Sequence, residues 1–292
     1  MRSERVPVAE GVSLRTLRWD GSGHPVPFVL VHGLASNALL WAGVGERLAA
    51  LGHDVVAVDQ RGHGRSDRPD HGYDLDTACA DLLGVVGGLE ADGLGPPVLA
   101  GQSWGGNVVL EVAARHPGRL RGVACVDGGW IELADRFPDW DSCREALKPP
   151  RTEGRRAAEV EGYLRAVHPD WPEEGIAGTM GNFEVRPDGT VAPWLSFDRH
   201  LALLRALWEH RPSTRYAEID VPVLLLPAGG GGDRHGDGRT GAGDRGGPVA
   251  RAGAALPRAR IHRFRGDHDI HAQQPDEVAA VLHAAVDDGF LA

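Results

Sequence analysis

Short, continuous apolar runs recur along this chain and alternate with stretches of helical periodicity. Residues 28–31, 55–58, 98–100 and 120–126 are apolar throughout or nearly so, as expected for central parallel strands buried on both faces. Residues 12–19 instead alternate in polarity and predict an antiparallel edge strand. Amphipathic patterns over 39–51, about 75–89 and 106–115 predict the intervening helices. Asp74 is placed to cap the second of these, and His116-Pro117-Gly118 stops the third. Strand–helix alternation of this kind builds a doubly wound parallel sheet.

The pattern then changes. From about residue 130 to 216 there is no buried β run, and five of the eight tryptophans fall here. Short helical patterns such as 197–210 predict a helical insertion over the sheet. The α/β pattern resumes at 221–226, continues with 260–264, and ends in a helix over 275–288 with Pro275 in its first turn. The expected organisation is therefore a first core part at 1–129, a helical lid at 130–216 and a second core part at 217–292. Between the last two apolar runs, residues 228–247 are half glycine and read as a long flexible loop. No Gly-Lys-Ser/Thr follows those glycines, so they are no phosphate cradle.

Composition narrows the classes. The 292 residues are 42% hydrophobic and 25% charged, ordinary for a globular protein. A formal net charge of -10 without a dense basic cluster argues against nucleic acid as a partner. Lys148 is the only lysine; the excess of Arg, Ala, Gly and Pro suggests codon bias rather than function. The first residues contain no apolar h-region and no segment reaches the length of a membrane span. The expectation is a cytoplasmic protein without a membrane partner, in which a homodimer is left open. Cys79, Cys125 and Cys143 have no metal-like spacing and read as reduced thiols, Cys125 within a core strand.

The strongest chemical signal is Gly101-Gln102-Ser103-Trp104-Gly105, with an apolar strand before it and a helix after it. Gly-x-Ser-x-Gly in that setting is a nucleophile elbow: the serine occupies a strained turn and projects its hydroxyl from the top of a sheet. Gly101 and Gly105 let neighbouring backbone pass close by, and the following helix N-terminus favours an oxyanion beside the serine. A serine capping a helix in a Gly-rich βα turn is the plainer reading. It leaves three other motifs unexplained: His32-Gly33-Leu34 after the first central strand, Asp59-Gln60-Arg61-Gly62-His63-Gly64-Arg65-Ser66 after the second, and Gly266-Asp267-His268 with Gln274-Pro275 near the C-terminus.

Together these four motifs resemble the α/β-hydrolase fold superfamily, of the lidded serine-hydrolase kind, over nearly the whole chain. The D-Q-R-G-x-G-x-S wording and the Trp after the serine are also similar to proline iminopeptidases. The resemblance implies a mostly parallel, eight-stranded sheet with helices on both faces and a helical lid. It places the oxyanion loop at His32-Gly33-Leu34, with the backbone N–H groups of Leu34 and Trp104 as donors. Asp59, Arg61 and Ser66 then lock their turn.

A serine hydroxyl needs a base to accept its proton. His268 is the choice, with His271 its neighbour in sequence as the rival. His262 and His32 read as structural. His268-Asp269-Ile270-His271 lacks a third ligand motif for a metal, and neither metal nor cofactor is expected. A carboxylate must orient the imidazole. The usual position, after the strand at 223–226, holds Gly229-Gly230-Gly231-Gly232-Asp233, which puts Asp233 late on a loop. Asp127 ends the strand after the elbow helix, where haloalkane dehalogenase-like proteins carry the acid, and a rigid strand end positions a group better than a loop. Asp127 is preferred and Asp233 is the alternative. Trp130, Trp140, Phe137, Phe183 and Trp194 are the aromatic candidates for lining an apolar substrate pocket, each of which could equally pack the lid onto the core.

The resulting expectation is a cofactor-free serine hydrolase acting on an ester or lactone of a small to medium, moderately apolar small molecule. Aminopeptidase, thioesterase, C–C bond hydrolase and cofactor-independent oxygenase chemistries remain open on the same fold. So does a non-catalytic binder that keeps the pocket. Serine in the elbow argues against epoxide hydrolase and haloalkane dehalogenase, which need an aspartate nucleophile there.

Overall fold

A computed structural model describes residues 1–229 and 247–292. Two antiparallel strands open the chain, β1 (Arg2–Ala9) and β2 (Val12–Trp19), followed by β3 (Phe28–Val31), α1 (Ala42–Ala50), β4 (Val55–Val58), α2 (Leu75–Ala91), β5 (Val98–Gln102), α3 (Trp104–Arg115) and β6 (Gly122–Val126). Next come α4 (Leu133–Arg136), α5 (Trp140–Leu147), α6 (Ala157–Val167), α7 (Glu173–Met180), a hairpin of β7 (Phe183–Val185) and β8 (Val191–Pro193), and α8 (Phe197–Glu209). The chain closes with β9 (Val223–Leu226), α9 (Pro248–Ala255), β10 (Ala259–Ile261), α10 (Ile270–Gln273) and α11 (Pro275–Asp287).

The main sheet has eight strands in the order β1-β2-β4-β3-β5-β6-β9-β10. All neighbours from β4 to β10 are parallel, and only the first two pairings are antiparallel. The expected edge strand 12–19 is not the edge. β1 covers it along its length. Its sequence, Arg-Ser-Glu-Arg-Val-Pro-Val-Ala, carries charges and a proline that mask a strand signal, as outer strands commonly do.

Successive residues of the central strands face opposite sides, as pleating requires. Val29, Val31, Leu99, Val123 and Leu225 pack with Leu82, Val86, Val108 and Val112 of α2 and α3. Phe28, Leu30, Val98, Ala124 and Leu224 pack with Val44 and Leu48 of α1 and Val278 and Leu282 of α11. Helices thus cover both faces, and the parallel strands all end on one rim. Asp74 caps α2 through Thr77 N–H at 2.8 Å. The regular elements within 130–216 are helices, apart from the three-residue strands of its hairpin, and loops join them. Among the described residues, no helix is long and apolar enough to cross a membrane.

Candidate active site

Ser103 sits where β5 turns into α3, at φ 53° and ψ -119°. A non-glycine residue holds positive φ only where surrounding structure enforces it. Here the enforcement is visible. The Ser103 N–H donates to Val126 O at 3.0 Å, while Ser103 O accepts from Gly106 N–H at 2.9 Å and Asn107 N–H at 3.3 Å. A Cβ on Gly105 would overlap the carbonyl oxygens of Val31 and His32, and one on Gly128 would overlap the Ser103 backbone. The start of α3 is therefore pressed against the ends of β3 and β6. Gly33 likewise has no room for a side chain between Gln102 and the Ser103 Cβ, which lies 3.0 Å from that position. These contacts bring the Gly33–Leu34 turn and the first residue of α3, Trp104, to the serine. The leading N–H groups of a helix have no intrahelical acceptor, so Trp104 offers a donor at this point.

Asp127 lies one residue beyond the Gln102–Val126 pair of the β5–β6 ladder, hence beside Ser103 on the same rim. It too holds positive φ, at 43°. Its Oδ1 accepts from Ala228 N–H at 3.2 Å, and its Oδ2 lies 2.7 Å from His268 Nδ1. The carboxylate is largely buried, the imidazole partly exposed. With Nδ1 on the carboxylate, the proton belongs on Nδ1 and the lone pair on Nε2, the atom turned away from Asp127. The Gln102 side-chain amide donates to His268 O at 3.2 Å, tying the histidine turn to the residue before Ser103. Asp233 lies outside the described residues.

His271 is placed quite differently from His268. It is fully buried, its ring 4.3 Å from that of Trp41. Burial, helped by His268 and His32 nearby, pushes it down to about 3. His32 is also buried: its Nδ1 meets Gly33 O at 2.7 Å, its Nε2 accepts from Gln60 N–H at 3.0 Å, and desolvation lowers it to about 4. Both act as neutral structural rings. Burial likewise raises the Cys125 thiol to about 12, so it is no competing nucleophile. His262, just past β10, is exposed and donates its backbone N–H to Leu225 O.

The Asp59–Ser66 turn is fixed by its own side chains. Asp59 accepts from Ala38 N–H at 2.7 Å and Arg65 N–H at 2.9 Å. Ser66 Oγ donates to Asp59 O at 2.5 Å, and Arg61 makes a two-point ion pair with Asp81 at 2.7 and 2.8 Å.

The aromatic candidates of the insertion are engaged in packing contacts. Trp140 lies 6.1 Å from Trp208, with Arg205 against both rings. Phe137 supplies its carbonyl to Trp208 Nε1–H at 2.9 Å, and Arg68 covers Trp194 at 4.8 Å. Trp130 packs on the core face carrying α2 and α3, and Phe183 begins β7. Two polar residues beside the site escaped the sequence reading. One is Gln102, treated as filler within the elbow motif. The other is Asp267, whose Oδ2 meets Trp171 Nε1 at 3.0 Å and His168 Nδ1 at 3.2 Å. Asp267 joins the insertion to the residue before His268; adjacency to a motif histidine was the only available signal.

Buried neutral histidines make the fold acid-sensitive, His53 at about 4 among them. His63, at about 3, joins His32 at about 4 and His271 at about 3, all lowered chiefly by burial. An unfolded histidine titrates near 6.5, so below that pH the unfolded state binds protons that the folded state refuses. The resulting stability is present above about pH 6.5 and lost toward the folded values, at about 1.4 kcal/mol per pH unit for each histidine. Thermal unfolding followed by circular dichroism should show a steep fall in Tm between about pH 6.5 and 5, above the carboxylate range. A Tm constant across that window would contradict the burial of these rings in neutral form.

Comparison with known proteins agrees with this architecture. Residues 26–162 match the family described as alpha/beta hydrolase fold. The non-heme haloperoxidase of Rhodococcus erythropolis is 38% identical over 243 residues, spanning 76% of this chain and 79% of that protein. The N-formylmaleamate deformylase of Pseudomonas putida is 30% identical over 242 residues, 77% of each. The crystal structure of E-2-(acetamidomethylene)succinate hydrolase superposes with a TM-score of 0.78 at 22% identity, covering 98% of this chain and 99% of that one.

Proposed function

We propose that this chain, which belongs to the alpha/beta hydrolase fold family, is a serine hydrolase that cleaves an ester or lactone of a small to medium, moderately apolar acid through an acyl-enzyme. The observation that carries the reading is the 2.7 Å contact between His268 Nδ1 and Asp127 Oδ2, on the rim where strained Ser103 stands. Ser103 is the nucleophile, His268 the base and Asp127 the orienting acid.

In the first half-reaction His268 Nε2 takes the hydroxyl proton as Ser103 Oγ bonds to the acyl carbon. The carbonyl oxygen becomes an oxyanion, held by the N–H groups of Leu34 and Trp104. The buried Asp127 carboxylate offsets the imidazolium that forms at the same moment. Collapse breaks the C–O bond of the leaving alcohol, which receives the proton from His268. In the second half a water gives its proton to His268 and bonds to the acyl carbon. The acid departs and Ser103 regains its proton.

The same three groups would cleave an acyl amide. Relatives named for acetamidomethylene-succinate and N-formylmaleamate favour that as the second reading. The 130–216 insertion, anchored by Asp267 to the histidine turn, serves as the lid.

A hydrolysis screen decides between the readings, using matched esters, lactones and N-acyl amides of graded chain length. The ester reading expects esters or lactones to exceed matched amides by at least about tenfold in kcat/KM, equivalent to roughly 1.4 kcal/mol of transition-state preference. The reverse order establishes the amide reading. Turnover of neither class, with folded protein, leaves a binder in a hydrolase-shaped pocket.

A further inference from the structure

On the opposite rim, three histidines from distant parts of the chain converge. His24 precedes β3, His53 precedes β4, and His283 lies in α11. One ring nitrogen from each lies within 4.8 Å of the others, and no second group of this kind occurs among the described residues. We infer that His24, His53 and His283 form a binding site for a divalent transition metal ion of the zinc type, which staples the C-terminal helix to the N-terminal ends of β3 and β4.

His53 carries the argument. It is buried, and its Nδ1 meets Val26 O at 2.8 Å. A carbonyl only accepts, so the proton is on Nδ1 and the lone pair on Nε2, which faces the other histidines. That is how metal-binding histidines are oriented: the second ring nitrogen donates to a backbone carbonyl or carboxylate, fixing tautomer and ring plane. His53 Nε2 accepts a hydrogen bond from His283 Nδ1–H at 3.0 Å; an ion that displaces this one proton finds two ring nitrogens near the edge of a tetrahedron drawn with Zn–N bonds of about 2.0–2.1 Å.

The His24 ring is tilted 44° against that of His53 with centroids 3.9 Å apart, and its Nδ1 accepts from Val26 N–H at 3.2 Å. Engaging the ion costs His24 that hydrogen bond, because its neutral ring carries the proton on Nε2 while Nδ1 accepts. Three protein ligands leave a fourth position for water. Cys79, Cys125 and Cys143 are buried and offer no competing exposed thiol.

The test uses the full chain without an affinity tag, freed of metal by dialysis against chelator. Zn²⁺ titrated by calorimetry should bind at one equivalent per chain. Saturating Zn²⁺, at about a hundredfold over Kd, should raise Tm by roughly 5 °C. Co²⁺ should give the visible absorption of a four-coordinate site. His283→Ala and His24→Ala replace half-buried rings, so the fold survives them. Each should weaken Zn²⁺ binding at least about tenfold, the lower bound seen even for losses in the outer shell, and His262→Ala should bind as the parent does. Failure of the parent to bind at micromolar Zn²⁺, or undiminished binding by both His283→Ala and His24→Ala, overturns the site.

Discussion

Ser103→Ala is expected to lower kcat by on the order of 10³-fold or more while leaving Tm within a degree or two of the parent. The size of the loss follows from covalency: without Oγ no acyl-enzyme forms, and only binding and the oxyanion donors remain. The small stability change follows from position. The hydroxyl is partly exposed at the rim, while the contacts that hold the turn, from Ser103 N–H to Val126 O and from Gly106 N–H to Ser103 O, are all backbone. Alanine keeps those bonds. It also keeps the positive φ, an existing strain that the substitution leaves much as it was. Rates measured with the best substrate of the hydrolysis screen, beside thermal melts of both proteins, check this. Near-parental turnover by Ser103→Ala would remove the serine from the mechanism.

Asp127→Asn should lower kcat by about 10⁴-fold, the scale seen when the orienting acid of a serine hydrolase becomes an amide. The amide can offer an N–H where Nδ1 now meets an acceptor, which favours the tautomer with the proton on Nε2. That tautomer cannot take the serine proton. The fold should tolerate the change, because Oδ1 of the asparagine can still accept from Ala228 N–H, as the carboxylate does at 3.2 Å. The companion variant Asp233→Asn should keep most of the activity. A collapse in Asp233→Asn with near-normal rates in Asp127→Asn would transfer the role of the acid to the loop. Because an absent charge at Asp127 also removes support for the imidazolium, the loss should appear in kcat more than in KM.

Much of this arrangement was readable from the amino-acid order, for identifiable reasons. The central strands announce themselves because parallel strands buried on both faces must be apolar throughout, as Phe28–Val31 and Val55–Val58 are. β1 stayed hidden because an outermost strand is free to carry Arg2, Glu4, Arg5 and Pro7. The hairpin at β7 and β8 stayed hidden because three residues per strand are too few to show a period. Ser103 was legible because the elbow constrains five consecutive positions.

His268 is preferred over its rival His271, three residues away, on its loop position near the C-terminus; the structure sets the two apart by burial, one contacting Asp127 and the other enclosed against Trp41. Asp127 is favoured beforehand because it ends a strand, a rigid position that is also where haloalkane dehalogenase-like proteins carry the acid. Gln102 and Asp267 do their work through tertiary contacts, to His268 O and to Trp171 and His168, which no local pattern encodes. The same holds for His24, His53 and His283, which are scattered along the sequence and brought together by β3, β4 and α11.

The central claim is that Ser103 is an activated nucleophile. A fluorophosphonate probe followed by peptide mass spectrometry tests it without knowledge of the substrate. The account predicts one covalent adduct per chain, located on Ser103. It also predicts slower labelling as pH falls, because a protonated His268 cannot accept the hydroxyl proton, and no adduct in Ser103→Ala. Folded protein that stays unlabelled, or is labelled equally in Ser103→Ala, would contradict it.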